Sequence, residues 1–250
     1  MERGLAARYR ELYRHHWWWR AREAVLTRTI GRLPLPPRAE ILDVGCGDGL
    51  FFPRLEAFGN VRGIEVDESL LSDDNPARRR IHTRPLGDPM YAGWKFELIT
   101  ALDVIEHIDD DAGAVAEMAS MLAPGGWLVV TVPAFMVLWD RHDELNHHRR
   151  RYTKGQLRSL LAPHGELHRA RYLFPGLFLP KLAARALGRA RGEPLTQDVI
   201  PPRALSRVLE GCLRVEDRVL GPLRLPFGTS VLAVLQAMPA AAAAAREVTR

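Results

Sequence analysis

The sequence predicts an α/β protein built on a doubly wound, mostly parallel β-sheet. Over the first 133 residues, short apolar runs alternate with segments of helical periodicity. The runs are apolar throughout, as expected for parallel strands covered by helices on both faces, and a glycine-rich turn follows the first of them. With 250 residues, 47 % of them hydrophobic and 26 % charged, the chain suits one large globular domain with an added cap.

The elements of this fold can be predicted in order along the chain. Residues 5–30 carry apolar side chains at helical spacing, and the proline-rich segment 34–37 ends that helix. Apolar runs predict five strands, at 40–44, 61–66, 80–83, 96–102 and 127–132. Helices are predicted at 50–58 and 110–122, between successive strands.

The pattern changes after Pro133. A helix is predicted at 153–161 and two closing strands at 167–172 and 229–236, with a helical insertion between the strands. We therefore expect four parts: an N-terminal helical lid (1–36), a core (37–173 with 229–237), a helical cap (174–228) and a flexible tail (238–250).

Charge and cysteine content limit the partners and the compartment. Two cysteines cannot form a disulfide framework, the first twenty residues lack a signal-peptide core, and no run reaches the ~18 apolar residues of a membrane span. We therefore expect a cytoplasmic protein. The net charge is +5, and residues 141–191 hold 12 Lys and Arg against three acids.

This basic segment could attract an anionic substrate or a membrane, or form an arginine-rich surface. No nucleic-acid-binding motif accompanies it, so a nucleic-acid partner is not expected. The apolar and basic residues 172–191 leave peripheral membrane contact open, although a cap over a substrate pocket is the favoured interpretation.

The glycine-rich turn predicts a site for a nucleoside-bearing cofactor. Gly45, Gly47 and Gly49 are spaced G-x-G-x-G between a strand and a helix, where glycines let a ligand approach the backbone closely. The dinucleotide fingerprint needs a third glycine at position 50, which is leucine. Asp43, two residues before the first glycine, would favour a cationic amino-acid moiety over a pyrophosphate.

A second acidic residue ends the second predicted strand. Glu65 stands where a carboxylate can accept both ribose hydroxyls of an adenosine. Asp67 is the competing candidate, with capping of the next helix as its alternative role. We favour Glu65.

Four segments resemble the motifs of the class I S-adenosylmethionine-dependent methyltransferases, in the same order. They are ILDVGCGDG (41–49), GIEVDESLL (63–71), FELITALDVIEHIDD (96–110) and LAPGGWLVVTVP (122–133). The chain is most similar to the small-molecule branch that includes ubiquinone-biosynthesis O-methyltransferases. HHWWWRARE (15–23) and HDELNHHRRRYTKGQL (142–157) resemble a bacterial subgroup often of unassigned substrate.

The resemblance implies a Rossmann-like, seven-stranded sheet with a reversed last strand, and S-adenosyl-L-methionine as the cofactor. The residues that it implies or leaves as candidates for cofactor binding are Asp43, Gly45, Cys46, Gly47, Gly49, Glu65, Val66, Asp88, Leu102 and Asp103. Asp88 enters as the nearest acidic residue after the third strand, and Asp103 as a neighbour of the methionine end of the cofactor or a cap of its own turn.

Methyl transfer needs chiefly alignment of the nucleophile with the methyl group and exclusion of water. His107, after the fourth strand, is the candidate catalytic base, or else it only orders the loop or touches the cofactor. The residues predicted to bind substrate are Trp18, Trp19, His107, His142, His148 and Arg150. No metal site is expected, because no second cluster completes one around the neighbouring His147 and His148.

The sequence therefore predicts an S-adenosylmethionine-dependent methyltransferase. We expect it to methylate an oxygen of a small hydrophobic or amphipathic molecule. Methylation of nitrogen or carbon, or a cofactor-binding or membrane-associated protein without turnover, are the alternatives. A nucleotide-dependent oxidoreductase is disfavoured by the glycine spacing. The acceptor and the oligomeric state are not predicted.

Overall fold

The computed structural model describes residues 3–191 and 200–238 of the 250. Seven strands form one sheet in the order β3-β2-β1-β4-β5-β7-β6. Their bounds are β1 Ala39–Val44, β2 Gly59–Ile64, β3 Ile81–His82, β4 Phe96–Leu102, β5 Leu122–Pro133, β6 Glu166–Leu173 and β7 Ser230–Gln236. The strand β7 runs antiparallel to both of its neighbours, whereas the pairings among β1 to β5 are parallel. The predicted sheet with a reversed last strand is confirmed.

Eight α-helices accompany the sheet in the described part of the chain. Their bounds are α1 Arg3–His15, α2 Trp17–Ile30, α3 Phe52–Leu55, α4 Asp111–Ser120, α5 Arg141–Leu145, α6 Lys154–Leu161, α7 Phe178–Arg191 and α8 Arg203–Leu220. One core packs α4 and α6 against the sheet, and a second packs α2, α3 and α8 against the opposite face. Along β5, Val130 faces the first core and Val129 the second, as expected for a strand covered on both sides.

The N-terminal segment is two helices rather than the single helix predicted over 5–30. The chain leaves helical geometry at His16, whose Nδ1 accepts a hydrogen bond from the backbone of Trp18 at 3.3 Å and so caps α2. Apolar spacing continues through both helices, so the periodicity could not reveal the break. From α1 the Tyr9 hydroxyl donates to Asn146, the residue that follows α5, at 2.6 Å.

The helix predicted over 50–58 is also shorter than expected. It extends only from Phe52 to Leu55, because β2 begins at Gly59, two residues earlier than predicted. The glycine is required there, since a Cβ would lie 1.9 Å from the carbonyl oxygen of Ala39 on β1. Residues 56–58 therefore serve as a turn into the sheet.

The segment predicted as a helical cap contains α7 and α8. Asp217 of α8 accepts from Arg28 of α2 and from Arg171 of β6, both at 2.6 Å, so α8 is fixed to the N-terminal helix and to the sheet. The expected flexible tail falls, apart from its first residue, outside the described residues. In the described ranges, no helix combines the length and the apolar character needed to cross a membrane.

Candidate functional site

The strand register gathers the loops of four strands at one edge of the sheet. Val44 at the end of β1 pairs with Ile64 on β2 and with Ala101 on β4, and Leu102 pairs with Thr131 on β5. In a doubly wound sheet, ligands bind at this carboxyl edge. The glycine turn, Glu65 and Asp103 therefore all lie along it.

The glycine turn contains three left-handed residues. The φ angles of Gly45, Gly47 and Gly49 are 64°, 52° and 67°, values that disfavour any side chain. A Cβ on Gly45 would lie 2.5 Å from Val104, so this glycine also allows the loop after β4 to pack closely. A Cβ on Gly47 would meet no atom within 4 Å. The backbone at Gly47 is thus open to a ligand.

Two buried carboxylates flank that open position. Asp43 is 3 % exposed and accepts a hydrogen bond from the Thr100 hydroxyl at 2.6 Å. Burial raises the pKa of Asp43 to about 7, and the negative charge of Glu65 adds to the shift. Glu65 accepts from the backbone of Gly47 and of Asp67, each at 2.9 Å, and burial raises its pKa as well. A cation in this space would relieve the cost of two buried carboxylates.

The structure separates Glu65 from its competitor Asp67. Asp67 is exposed and caps the turn Glu68–Leu70 by accepting from the backbone of Ser69 at 2.9 Å. Glu65 instead bridges the loops after β1 and β2. Of the two acids, Glu65 is thus the one that contacts the glycine turn.

Arg22 of α2, a residue that the sequence analysis did not single out, holds the end of β4 through Asp103. Asp103 has a φ of 60°, uncommon for a residue other than glycine, and its carboxylate contacts Arg22 of α2 at 2.8 Å. The Thr131 hydroxyl donates to Asp103 at 3.0 Å and accepts from Arg22 at 2.8 Å. Arg22 also lies over the rings of Trp18 and Trp19, at 5.6 and 5.8 Å from their centroids.

The two tryptophans predicted to bind substrate are half-buried residues of α2. Trp18 packs near Phe174, at a centroid distance of 6.3 Å, and Trp19 packs on Tyr9 and Tyr13 of α1. Their rings link the N-terminal helices to the end of β6 and to the Arg22–Asp103 pair.

A histidine cluster lies beside the loop after β4. The rings of His107 and His148 are 4.6 Å apart and nearly perpendicular, and the ring of His142 is 6.4 Å from that of His148. Partial desolvation and the neighbouring His148 lower the pKa of His107. Asp143 is buried and bonds both His148 and Arg151, and despite its burial these bonds hold its pKa below the usual range.

A buried carboxylate, that of Glu106, lies close to two of these histidines. Glu106, His107 and His148 each offer a ligand atom, and these atoms lie within 4.8 Å of one another. The segments join because the backbone of Arg149 donates to the carbonyl of Glu106 at 2.7 Å. The fold therefore brings Glu106 and His107 beside His148, a proximity that the sequence analysis did not anticipate.

The structure also places the five remaining predicted residues. Cys46 fills the space beside β2, where a Cβ on Gly63 would lie 2.4 Å from its sulfur, and Val66 is 59 % exposed next to Glu65. Asp88 caps the turn Pro89–Tyr91 through the backbone of Met90 at 2.9 Å. Arg150 contacts Asp111 at 3.0 Å and the carbonyl of Asp109 at 2.8 Å, which fastens the loop after β4. Leu102 is half-buried at the end of β4.

Comparison with known proteins decides the family. The profile of the family described as "Methyltransferase domain" matches residues 18–173, which include the glycine turn, both acids and the loop after β4. The chain belongs to this methyltransferase family. The expected membership in the class I S-adenosylmethionine-dependent methyltransferases is confirmed.

Sequence relatives and solved structures agree with that membership. The ubiquinone biosynthesis O-methyltransferase of Thiobacillus denitrificans is 31 % identical over 110 residues, which cover 39 % of this chain and 45 % of the relative. The match thus spans about half the length of that relative. The N-methyltransferase NodS of Bradyrhizobium japonicum superposes with a TM-score of 0.55 at 15 % identity, covering 91 % and 90 % of the two chains.

A methyltransferase of Haloferax volcanii, solved with the Trm112 methyltransferase activator, gives a TM-score of 0.59. Its identity is 16 %, and 94 % of each chain is covered. At identities of 15 % and 16 %, these two structures establish only that the chain shares their fold.

Two residues of the site escaped the sequence analysis of this methyltransferase. Arg22 stands in the segment WWWRARE, where its burial depends on Asp103, far along the chain. Glu106 is 0 % exposed although it neighbours a predicted catalytic residue. The adjacency of Glu106 and His107 in sequence was a usable signal, since it placed a carboxylate beside a candidate base.

Proposed function

We propose that this methyltransferase transfers a methyl group from S-adenosyl-L-methionine to an oxygen of a small hydrophobic or amphipathic molecule. The observation that carries the proposal is the open backbone at Gly47 between the buried carboxylates of Asp43 and Glu65. A ligand that combines a cation with a ribose fits this arrangement, because each carboxylate then gains a partner.

Different residues at the carboxyl edge of the sheet bind different parts of the cofactor. We assign the cationic amino-acid moiety to Asp43 and the ribose hydroxyls to Glu65, with the backbone at Gly45, Gly47 and Gly49 close to the nucleoside. When bound, the cofactor supplies the activated methyl group. The protein's own task is then to position the acceptor, exclude water and accept a proton from the nucleophile.

The acceptor side is assigned to the histidine cluster. His107 lies on the turn that follows β4, and its lowered pKa leaves the imidazole neutral and able to accept a proton near neutral pH. The segment that carries His142 and His148 also exposes Met136, Val137 and Leu145, which are 53 %, 48 % and 64 % exposed. A hydrophobic acceptor with one polar group fits this combination, and the O-methyltransferase relatives favour oxygen as its reacting atom.

Calorimetry with the demethylated product S-adenosylhomocysteine tests the cofactor assignment. We expect one molecule to bind per chain, and no heat with NAD. A panel of hydroxyl, amine and carbon acceptors with methyl-labelled cofactor then identifies the acceptor atom. Binding of S-adenosylhomocysteine without transfer to any acceptor would indicate a cofactor-binding protein, and no binding at millimolar concentration would reject the proposal.

A further inference from the structure

Glu106 is a buried carboxylate in need of a partner. Its side chain is 0 % exposed, and neither carboxylate oxygen has a hydrogen-bond partner from another residue in the described ranges. A charge buried in this way is costly unless it is protonated, paired with a cation or bound to a metal. The proposed methyl transfer gives Glu106 no task.

Two imidazoles lie within reach of that carboxylate. Ligand atoms of Glu106, His107 and His148 all lie within 4.8 Å of one another. A tetrahedral zinc site with bonds of about 2.1 Å needs ligand atoms separated by about 3.4 Å, so these side chains must close by roughly an ångström. His107 is exposed, and its ring can make that adjustment.

His148 is oriented as a metal ligand. Its Nδ1 lies 2.7 Å from Oδ1 of Asp143, which fixes the tautomer and leaves Nε2 as the ligand atom. Asp143 is in turn held by Arg151 through two bonds of 2.8 Å. Histidines that bind metals are commonly fixed by a carboxylate in this way, so the cluster already holds the supporting bonds around one ligand.

We propose that Glu106, His107 and His148 bind one divalent transition-metal ion, of which Zn²⁺ is the representative probe. Two imidazoles and one carboxylate form a ligand set that suits Zn²⁺ and Fe²⁺ better than Ca²⁺ or Mg²⁺. Three protein ligands leave at least one coordination position open, as in metal sites that take part in catalysis.

The role that we assign to the metal ion rests on the proposed function. The open position lies beside the loop after β4, where we place the acceptor. An acceptor hydroxyl bound there loses its proton more easily, because the ion stabilises the oxyanion. In the metal-bound protein His107 is a ligand and no longer the proton acceptor that we assign to it without the ion, and the proton of the acceptor goes to water.

The test is calorimetry of Zn²⁺ binding to the full chain after treatment with a chelator. We expect one ion per chain with micromolar or tighter affinity, and Co²⁺ should give visible absorption bands of a tetrahedral site. Loss of a supporting carboxylate costs about 10–100-fold in metal affinity, so loss of a ligand in Glu106→Gln or His148→Gln should cost about 100-fold or more.

His147→Asn provides the matched control. His147 lies on the same segment, is exposed, and has a φ of 55° that asparagine tolerates. The His147→Asn variant should bind Zn²⁺ with the same affinity as the unmodified protein. Glu106→Gln keeps the size of a buried side chain that makes no hydrogen bond to another described residue, so its metal-free form should melt close to the unmodified protein. His148→Gln provides a second variant if Glu106→Gln does not fold.

Two results overturn the inference: the unmodified protein binds no ion at millimolar Zn²⁺, or both ligand variants bind as tightly as it does. Titration of the same samples with S-adenosylhomocysteine distinguishes failure of the metal-site inference from failure of the proposed function. A protein that binds this product and refuses the ion rejects the metal site alone. A protein that binds the ion but not the product rejects the proposed function and leaves the metal site standing.

Discussion

The guanidinium of Arg22 lies 2.8 Å from the carboxylate of Asp103, joining α2 to the end of β4. The Arg22 side chain is 6 % exposed and that of Asp103 25 %. Asp103 also adopts a left-handed backbone conformation that its surroundings must hold in place. The pair therefore couples the position of α2 to the shape of the loop that carries Glu106 and His107.

Arg22→Met should destabilise the protein by about 3 kcal/mol, because it leaves a largely buried carboxylate without its partner. Urea unfolding measures the change. Arg20→Ala, on the same helix, removes only long contacts of 3.8 and 3.9 Å to Glu210 and Glu23 from a half-exposed side chain. It should cost less than about 1 kcal/mol. Equal losses of unfolding free energy in both variants would show that the Arg22–Asp103 pair contributes no more to stability than the contacts of Arg20.

Asp43 should make cofactor affinity depend on pH. Its pKa of about 7 means that the carboxylate is ionised above neutrality and protonated below it. Only the ionised form attracts a cationic amino-acid moiety, so affinity for S-adenosylhomocysteine should fall as pH is lowered from 8 to 6. Calorimetry at both values measures the effect. Asp43→Asn should bind weakly with little change between them, and an equally steep dependence in this variant would assign the titration to another group.

The same raised pKa affects the stability of the ligand-free protein. Between about pH 4 and 7 the folded state holds a proton on Asp43 that the unfolded state has lost, so stability falls as pH rises through this range. The unmodified protein should therefore melt progressively lower, relative to Asp43→Asn, as pH rises from 5 to 8. Parallel melting curves for the two proteins across this range would contradict the shift.

The glycine turn and the sheet were predictable because their signals are local. Apolar runs of strand length and the G-x-G-x-G spacing each lie within ten residues, and the structure places Gly45, Gly47 and Gly49 in left-handed geometry directly after β1. The Arg22–Asp103 pair and the contact between His107 and His148 join residues distant in sequence. Which residues meet depends on how β4, β5 and α2 pack, and no local sequence pattern encodes that packing.

Gly47→Ala should weaken S-adenosylhomocysteine binding at least tenfold while leaving the protein folded. The new methyl group would stand in the open space where we place the nucleoside. Gly93→Ala is a matched control, because Gly93 has a φ of 80° and its added Cβ also meets nothing within 4 Å. Both variants should lose about 1–2 kcal/mol from backbone strain, and only Gly47→Ala should lose affinity. Unchanged affinity in Gly47→Ala would move the cofactor away from this turn.

His107→Ala should lower turnover about 100-fold or more, whether the imidazole accepts the proton itself or binds the ion that eases its loss. The affinity for S-adenosylhomocysteine should stay within about twofold, because Asp43, Gly47 and Glu65, to which we assign cofactor binding, lie on β1 and on the loops after β1 and β2. His147→Asn serves again as the control and should keep full turnover. Single-turnover kinetics and calorimetry on the same preparations separate the two effects. A loss of turnover matched by an equal loss of affinity would show that His107 orders the cofactor loop instead of acting on the acceptor.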